Sequence, residues 1–224
     1  MFKNSDRALI LAAHPDDECI GVGGTIAKLV KNAIPVRVVF MSDGVTSRDT
    51  ARESVESRKK SAENSLAILG VEEYKFFNFP DNKFDSISLL DLAKLIEAEV
   101  MDFNPTLVFS PYRYDLNIDH QVLSEATNIA VRPKPGSRVR LILNYEVLSS
   151  TGWNFGAPTF KPQVFVDIDE YIEMKMSALR AYVAEIDSPP SARSLPVIEA
   201  LAKYRGGLVG RNFAESFSLS LFVG

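Results

Sequence analysis

The 224-residue chain contains only two histidines, and each lies close to aspartates. His14 opens the segment HPDDE, and His120 closes the segment DLNIDH. Imidazole and carboxylate groups that leave one coordination position open are typical ligands of a catalytic zinc ion. His14, Asp17 and His120 are therefore candidate metal ligands. Asp16 would remain free beside the metal, where a hydrolytic reaction needs a general base.

Apolar segments of strand length alternate with amphipathic segments of helical length in the first half of the chain. Strands are predicted over 8–13, 36–41, 74–79 and 106–110, and helices over about 20–31, 50–69 and 87–102. Such alternation favours right-handed crossovers and a parallel sheet between two layers of helices. The predicted fold class is α/β, a three-layer αβα sandwich with a mostly parallel sheet.

The pattern becomes less regular beyond residue 131. Loops are expected over 132–138 and 187–196 because of their Pro, Ser and Gly content. Further strands are predicted in RLILNYEVL and QVFVDI, and a further helix over 169–185. With 46% hydrophobic residues, the chain suits one domain over 1–224, with a less regular C-terminal part.

The polar motifs follow predicted strands at their carboxyl ends. HPDDE follows the first strand, SDG (42–44) the second, and SPYRYDLNIDH (110–120) the fourth. Ligands bind outside the carboxyl ends of the strands in open parallel sheets. The topology therefore predicts that His14 and His120 lie at one site.

Helix capping is the alternative explanation of these acidic residues. Asp16, Asp17 and Glu18 suit a helix N-terminus, and Asp119 would cap a helix that starts near His120. The histidines would then be hydrogen-bonded loop residues. Capping accounts for the acids, but it does not require a histidine at both places.

The composition narrows the possible partners. A net charge of −4 and a pI near 5.3 exclude a basic surface for nucleic acid. No apolar stretch reaches the roughly 18 residues that a membrane span needs, and the first residues lack signal-peptide features. Cys19 is the single cysteine, which fits a reducing cytoplasm. No free histidine is left to activate Cys19 as a nucleophile.

The segments AAHPDDE and DLNIDH resemble the PIG-L/LmbE-like family of zinc-dependent N-deacetylases. The similarity extends to MSDG, to LGV (69–71), to FPD (79–81) and to YRGGLVGRNFAESF (204–217). It implies a Rossmann-like single domain that uses Zn²⁺, or another divalent metal, to hydrolyse the acetamide of an N-acetylated amino sugar or its conjugate. It also implies a homo-oligomer, a trimer or hexamer.

Carried over by position, the resemblance makes His14, Asp17 and His120 the zinc ligands and Asp16 the general base. Asp119 would hydrogen-bond and orient a neighbouring group. We assign three further residues to substrate binding, each with an alternative. They are Asp43, Arg58 and Asp115. The alternative for Asp43 is a turn with Gly44, and the alternative for Arg58 is a solvated side chain. The alternative for Asp115 is an Asx turn or a contact behind the metal ligands.

Two positions depart from the family pattern. Asn117 stands where the family commonly has a histidine, three residues before the last ligand. An asparagine amide can donate a hydrogen bond to an oxyanion, but it cannot transfer a proton at neutral pH. Asp16 would then serve as base and afterwards as acid, unless Tyr112 or Tyr114 assists. The second departure is Ala184-Glu185, where related proteins often carry Ser-Gln.

The expected reaction is zinc-dependent hydrolysis of an acetamide, with release of acetate. Zinc lowers the pKa of its bound water to about 7, and Asp16 would take the proton. One alternative is a non-catalytic sugar- or nucleotide-binding protein on the same fold. Another is a metal-dependent amidase acting on thiol conjugates. Trp153 and Phe155 are expected either to stack on a sugar or to anchor their loop by packing.

Overall fold

The computed structural model describes residues 1–47, 53–156 and 158–224. Strands and helices alternate through the first 130 residues, and all but the last helix, which was not predicted, lie close to their predicted bounds. They are β1 (Ala8–Ala12), α1 (Asp17–Lys31), β2 (Val36–Ser42), α2 (Val55–Leu69), β3 (Glu73–Phe79), α3 (Leu89–Phe103), β4 (Leu107–Pro111) and α4 (Ile118–Ala130).

The second helix shows how local chemistry sets its ends. It was predicted from residue 50, but 48–52 lie outside the described residues, and α2 begins at Val55. The Ser54 side chain accepts a hydrogen bond from the Ser57 backbone N–H, as an N-cap does. Gly70 ends the helix at φ 78°, a left-handed conformation that glycine adopts without strain.

The C-terminal part adds strands to the same sheet. It contains β5 (Leu141–Tyr145), β6 (Val164–Asp167), α5 (Ile172–Leu179), α6 (Leu195–Gly207) and β7 (Ala214–Phe222). The helix predicted over 169–185 was wrong in length. It ends at Leu179, and turns follow in which the Tyr182 carbonyl accepts from the Glu185 N–H. Neither α6 nor β7 was predicted.

The seven strands form one sheet in the order β3-β2-β1-β4-β5-β7-β6. The first five pair in parallel, whereas β7 runs antiparallel to both of its neighbours. This confirms the predicted α/β class with a mostly parallel sheet. The strand order reverses between β1 and β4, and in such sheets the crevice at this point binds ligands. None of the helices in the described part of the chain is long and apolar enough to span a membrane.

The central strand β1 is buried on both faces. Ile10 and Ala12 belong to the core beneath α1, α2 and α5, while Leu9 and Leu11 belong to the core beneath α3 and α4. Successive side chains of a strand point to opposite faces, so a continuous apolar run fills both layers. The loop that follows β1 therefore starts from a rigidly packed support.

Glycines let α1 pack closely against its neighbours. A Cβ added to Gly21 would lie 2.2 Å from Tyr145 Cδ2, and one added to Gly24 would lie 2.8 Å from Ile168 Cδ1. Gly21 and Gly24 therefore leave room for neighbouring side chains that any larger residue would displace. The buried carboxylate of Glu215 also accepts from the Gly24 N–H at 2.8 Å and from Lys175 Nζ at 2.6 Å. These contacts hold α1, and with it the loop after β1, in place.

Candidate metal centre

The three predicted ligands meet where β1 and β4 end. His14 lies in the loop after β1, Asp17 opens α1, and His120 lies in the first turn of α4. Asp17 Oδ2 is 3.2 Å from His14 Nδ1 and 3.1 Å from His120 Nε2. The two imidazole nitrogens are 3.3 Å apart. All three side chains are buried.

These separations fit a divalent cation. Donors bonded at about 2.0–2.1 Å in a tetrahedral zinc site lie roughly 3.3 Å from one another. The donor types, two imidazoles and one carboxylate, suit the same metal. Asp17 Oδ1 is buried and has no hydrogen-bond partner among the described residues, so its lone pairs are available. The geometry and the chemistry of this set both match a metal site with an open fourth position.

A second carboxylate lies behind each histidine. Asp119 Oδ2 is 3.0 Å from His14 Nε2, and Asp115 Oδ1 is 3.2 Å from His120 Nδ1. Such partners fix the tautomer and the orientation of a ligand imidazole. Asp119 is itself fixed, because it accepts from the backbone N–H groups of Asn82 and Phe84 at 2.7 and 2.9 Å.

The negative surroundings alter the pKa of both imidazoles. Burial alone would lower the pKa of His120, but the charges of Asp17 and Asp115 outweigh it and raise that pKa to about 9. Burial likewise opposes a proton on His14, yet hydrogen bonds to Asp119 and Asp17 raise its pKa well above the usual range. The site favours a positive charge between these groups.

Asp81 joins the site although the sequence interpretation did not assign it. Its Oδ1 lies 3.0 Å from His14 Nε2, so His14, Asp81 and Asp119 form a second group that could hold a metal ion. Asp119 already accepts two backbone hydrogen bonds, which favours an orienting role for this group. Asp81 follows β3, in the segment FPD. The strand-end argument that located the other loops could have found it.

Asp16 is buried beside two arginines. Its Oδ2 lies 2.9 Å from Arg193 Nη2, and its Oδ1 lies 3.4 Å from Arg58 Nη2. Neither oxygen accepts a hydrogen bond of good geometry from the described residues. Its backbone adopts φ 127°, which for a residue other than glycine costs about 1–3 kcal/mol. Strain of this kind is concentrated at functional sites.

The two arginines are joined by Glu185. Its Oε1 lies 2.5 Å from Arg58 Nη1, and its Oε2 lies 2.5 Å from Arg193 Nη1. Arg58 and Glu185 are both 1% exposed, so the solvated alternative for Arg58 is wrong. Arg193 was not predicted, because it lies in the loop over 187–194 and no motif marks it.

The pocket in front of these groups has a volume of about 310 Å³. Of the predicted residues, His14, Asp17, Arg58, Asn117 and His120 line it. Trp153 stands at the pocket and is 51% exposed, whereas Phe155 is 92% exposed and is not among the described lining residues. Tyr112, Tyr114 and Asp16 are likewise not among the described lining residues, but Asp16 adjoins the lining residue Asp17 in the chain and contacts the lining residues Arg58 and Arg193.

Two of the residues assigned to substrate binding, Asp43 and Asp115, have the local contacts of their alternatives. Asp43 Oδ1 accepts from the backbone N–H groups of Val45 and Thr46, at 2.8 and 3.0 Å, and forms an Asx turn. Asp115 is fully buried behind His120 and accepts a hydrogen bond from the Ser150 hydroxyl. Neither is among the described residues that line the pocket.

Asn117 caps a helix and also lines the pocket. It is the N-cap of α4, where its Oδ1 accepts from the Asp119 N–H at 2.8 Å. Its Nδ2 donates to Asn82 Oδ1 at 2.9 Å. A side-chain amide nitrogen carries two hydrogens, so one N–H remains for a ligand.

Cys19 and Arg205 lie outside the described lining of the pocket and contact other protein groups. The Cys19 thiol is fully buried, and this burial raises its pKa well above the usual range, which leaves no thiolate for nucleophilic attack. Arg205 binds Glu146 through two hydrogen bonds of 2.8 Å. Among the described residues lining the pocket, neither Cys19 nor Arg205 occurs.

Asp119→Asn should weaken metal binding without changing the ligands themselves. The isostere keeps the size of the side chain but loses the charge that orients His14 through Nε2. We expect metal affinity to fall by about 10–100-fold, the usual effect of removing such a partner. Titration with zinc against a competing chelator measures it. Asp43→Asn is the matched control, and equal affinities for the two variants would contradict the role of Asp119.

Comparison with known proteins gives consistent matches. The family model PIG-L, described as GlcNAc-PI de-N-acetylase, matches residues 9–131, more than half of the chain. The diacetylchitobiose deacetylase of Thermococcus kodakarensis is 29% identical, over 96% of this chain and 83% of that protein. A probable N-acetyl-α-D-glucosaminyl L-malate deacetylase of Bacillus anthracis is 28% identical, over 82% of this chain and 83% of that protein. The solved structure of the N,N′-diacetylchitobiose deacetylase of Pyrococcus horikoshii has the same fold, with a TM-score of 0.78 and 24% identity. The match covers 96% of this chain and 84% of that chain.

Proposed function

The chain belongs to the PIG-L family, and on this basis we propose that it is a zinc-dependent N-deacetylase of an N-acetylated amino sugar or its conjugate. Its relatives include deacetylases of N-acetylated sugars. The observation that carries the proposal is the set of His14, Asp17 and His120, whose donor atoms lie 3.1–3.3 Å apart. Asp16 follows in the same loop as the candidate base.

The residues of the site have distinct parts in the proposed hydrolysis. A divalent metal held by His14, Asp17 and His120 would supply Lewis acidity toward the acetyl carbonyl and the attacking water. Asp16 accepts a proton from this water as the C–O bond forms. The remaining N–H of Asn117 donates to the oxygen on which negative charge develops. Asp16 then returns the proton to the amine as the C–N bond breaks, which yields acetate and a free amino group.

The surrounding residues prepare the base for this task. Arg58 and Arg193 hold the Asp16 carboxylate through ion pairs on both oxygens, with little solvent around it. A base held in place needs no reorganisation when the proton moves. Asp119 and Asp115 similarly hold the imidazole rings of the ligands. These are positioning residues, since they act through the groups that they contact.

Release of acetate tests the proposal. The purified protein is incubated with zinc and a panel that contains N-acetylglucosamine, diacetylchitobiose, N-acetyl-α-D-glucosaminyl L-malate and amides of thiol conjugates. We expect acetate from at least one N-acetylated sugar. Binding of sugars without any turnover would favour the non-catalytic alternative, and turnover of the thiol-conjugate amides alone would favour the amidase.

Variants of Asn117 distinguish its proposed catalytic role from its role as the N-cap of α4. Asn117→Ser keeps an N-cap residue but removes the amide, so α4 should remain stable. We expect kcat to fall by about 10²–10³ for both Asn117→Ser and Asn117→Ala, as after loss of an oxyanion donor. Asn117→His should bring at most a modest gain. The measurement is kcat at equal zinc content, and a serine variant as fast as the original protein would remove the amide from the mechanism.

A further inference from the structure

Glu18 is the one carboxylate of the HPDDE segment that has no part in the proposed mechanism. It lies in the first turn of α1 and is fully buried. Its Oε2 accepts a hydrogen bond from the backbone N–H of Asp16 at 3.0 Å, and its Oε1 accepts one from the Tyr182 hydroxyl at 2.6 Å. Glu18 therefore joins the backbone of the candidate base to the turns that follow α5.

The side chain of Asp16 does not cap α1, although Asp16 is the N-cap residue of this helix. An aspartate at an N-cap usually has an extended backbone and accepts from a backbone N–H of the first turn. The backbone of Asp16 instead has φ 127°, and its carboxylate lies against Arg58 and Arg193. A residue other than glycine keeps such a conformation only where its surroundings impose it. The hydrogen bond from the Asp16 N–H to Glu18 is one of these surrounding contacts.

Tyr182 connects Glu18 to an arginine that contacts Asp16. The buried Tyr182 ring lies against Arg58, whose guanidinium carbon is 5.7 Å from the ring centroid. Arg58 Nη2 in turn lies 3.4 Å from Asp16 Oδ1. Glu18 thus contacts the backbone of Asp16, Arg58 contacts its side chain, and Tyr182 contacts both Glu18 and Arg58. A close-packed interior transmits a displacement of any one of these four residues to the others.

Resting on the role of Asp16 as base in the deacetylase proposed above, we propose that Glu18 is a positioning residue that holds the Asp16 carboxylate in its catalytic place. Glu18 acts through the Asp16 backbone, and Tyr182 fixes Glu18. Without an acceptor at position 18, the Asp16 N–H loses this hydrogen bond, and the strained conformation at Asp16 loses one of its supports. The Asp16 carboxylate then shifts relative to the candidate metal ligands.

Two substitutions of Glu18 test this role on a sugar that the original enzyme deacetylates. Glu18→Met removes the acceptor, whereas Glu18→Gln keeps a carbonyl oxygen for the Asp16 N–H and an amide that can donate to the Tyr182 oxygen. We expect kcat of Glu18→Met to fall by about 10–100-fold, the scale for a misplaced catalytic group, with KM and zinc content within about twofold of the original values. Glu18→Gln should retain most of the activity. A loss in Glu18→Gln as large as that in Glu18→Met overturns the proposal.

A double-mutant cycle with Asp16→Asn shows whether Glu18 acts through Asp16. Once the carboxylate of Asp16 is gone, Glu18→Met should lower kcat by less than about twofold. The same fold loss in both backgrounds overturns the proposal, since Glu18 would then act elsewhere in the protein. Full activity of Asp16→Asn would instead reject the base, and no acetate from any N-acetyl sugar with the original protein would reject the deacetylase function.

If Glu18→Met does not fold, Tyr182→Phe decides. This variant removes only the hydroxyl that donates to Glu18. The matched control is Tyr145→Phe, which removes the hydroxyl of another buried tyrosine, one that donates to the Leu11 carbonyl at 2.9 Å. We expect kcat to fall by about threefold or more in Tyr182→Phe and to stay at the original value in Tyr145→Phe. Equal kcat values for the two tyrosine variants overturn the proposal.

Discussion

Changing His14, Asp17 and His120 together to alanine should leave a protein that binds no zinc and releases no measurable acetate. The original protein should contain about one divalent metal ion per chain, because three donors with one open position form one site. The variant lacks all three candidate metal ligands. The carboxylates of Asp115 and Asp119 remain, but in the original protein they contact the far side of the two imidazole rings. Elemental analysis of protein purified without added metal measures the stoichiometry.

The matched control for this variant is Asp43→Ala. Asp43 lies in a neighbouring strand-end loop, but its carboxylate contacts only its own turn in the described hydrogen bonds. This variant should keep its metal and its activity. Retention of about one metal ion per chain by the triple variant would contradict the assignment of all three ligands. Circular dichroism spectra establish that both variants are folded.

Asp16→Asn should keep its metal and lose about 10²–10⁴ in kcat, the scale for removal of a general base. The amide has the shape of the carboxylate but cannot accept the proton. Asparagine also matches aspartate in size and shape, so the loop around residue 16 should keep its conformation. The measurements are kcat on a substrate of the original enzyme and zinc content.

Glu53→Gln is the matched control for the loss of charge. Glu53 lies 3.2 Å from Arg58, the same arginine that contacts Asp16, but unlike Asp16 it is not next to a candidate metal ligand in the chain. We expect its kcat to stay within a few-fold of the original value. Turnover by Asp16→Asn close to that of this control, with zinc bound, would show that Asp16 is not the base.

Most strands and the proximity of the three candidate metal ligands could be predicted from local patterns. The apolar run of β1 and the residues His14 and Asp17 lie within one short segment, so their proximity needs no tertiary information. His120 lies far along the chain, yet the rule that parallel strands end at one edge of the sheet was enough to bring it to the same place.

Side-chain direction within the loops could not be predicted. Asp43 and Asp115 both follow strand ends, and both were candidates for substrate binding. Each instead accepts hydrogen bonds from nearby groups, from Val45 in one case and from Asn117 and Ser150 in the other. Asx turns compete for the same carboxylates that a ligand would use. The outcome depends on loop conformation, which a residue pattern does not specify.

The sequence by itself determined the sheet class, the candidate metal-ligand residues and the place where they meet, because these follow from periodicity and from short-range spacing. Only the tertiary structure decided what surrounds Asp16. Arg58, Glu185 and Arg193 come from α2, from the turns after α5 and from the loop before α6, and no local pattern relates them. Charged residues in loops are usually solvated. Packing of the C-terminal part against α2 buries Arg58 and Glu185, whereas the Arg193 side chain stays 23% exposed, and the ion pairs among the three follow from that packing.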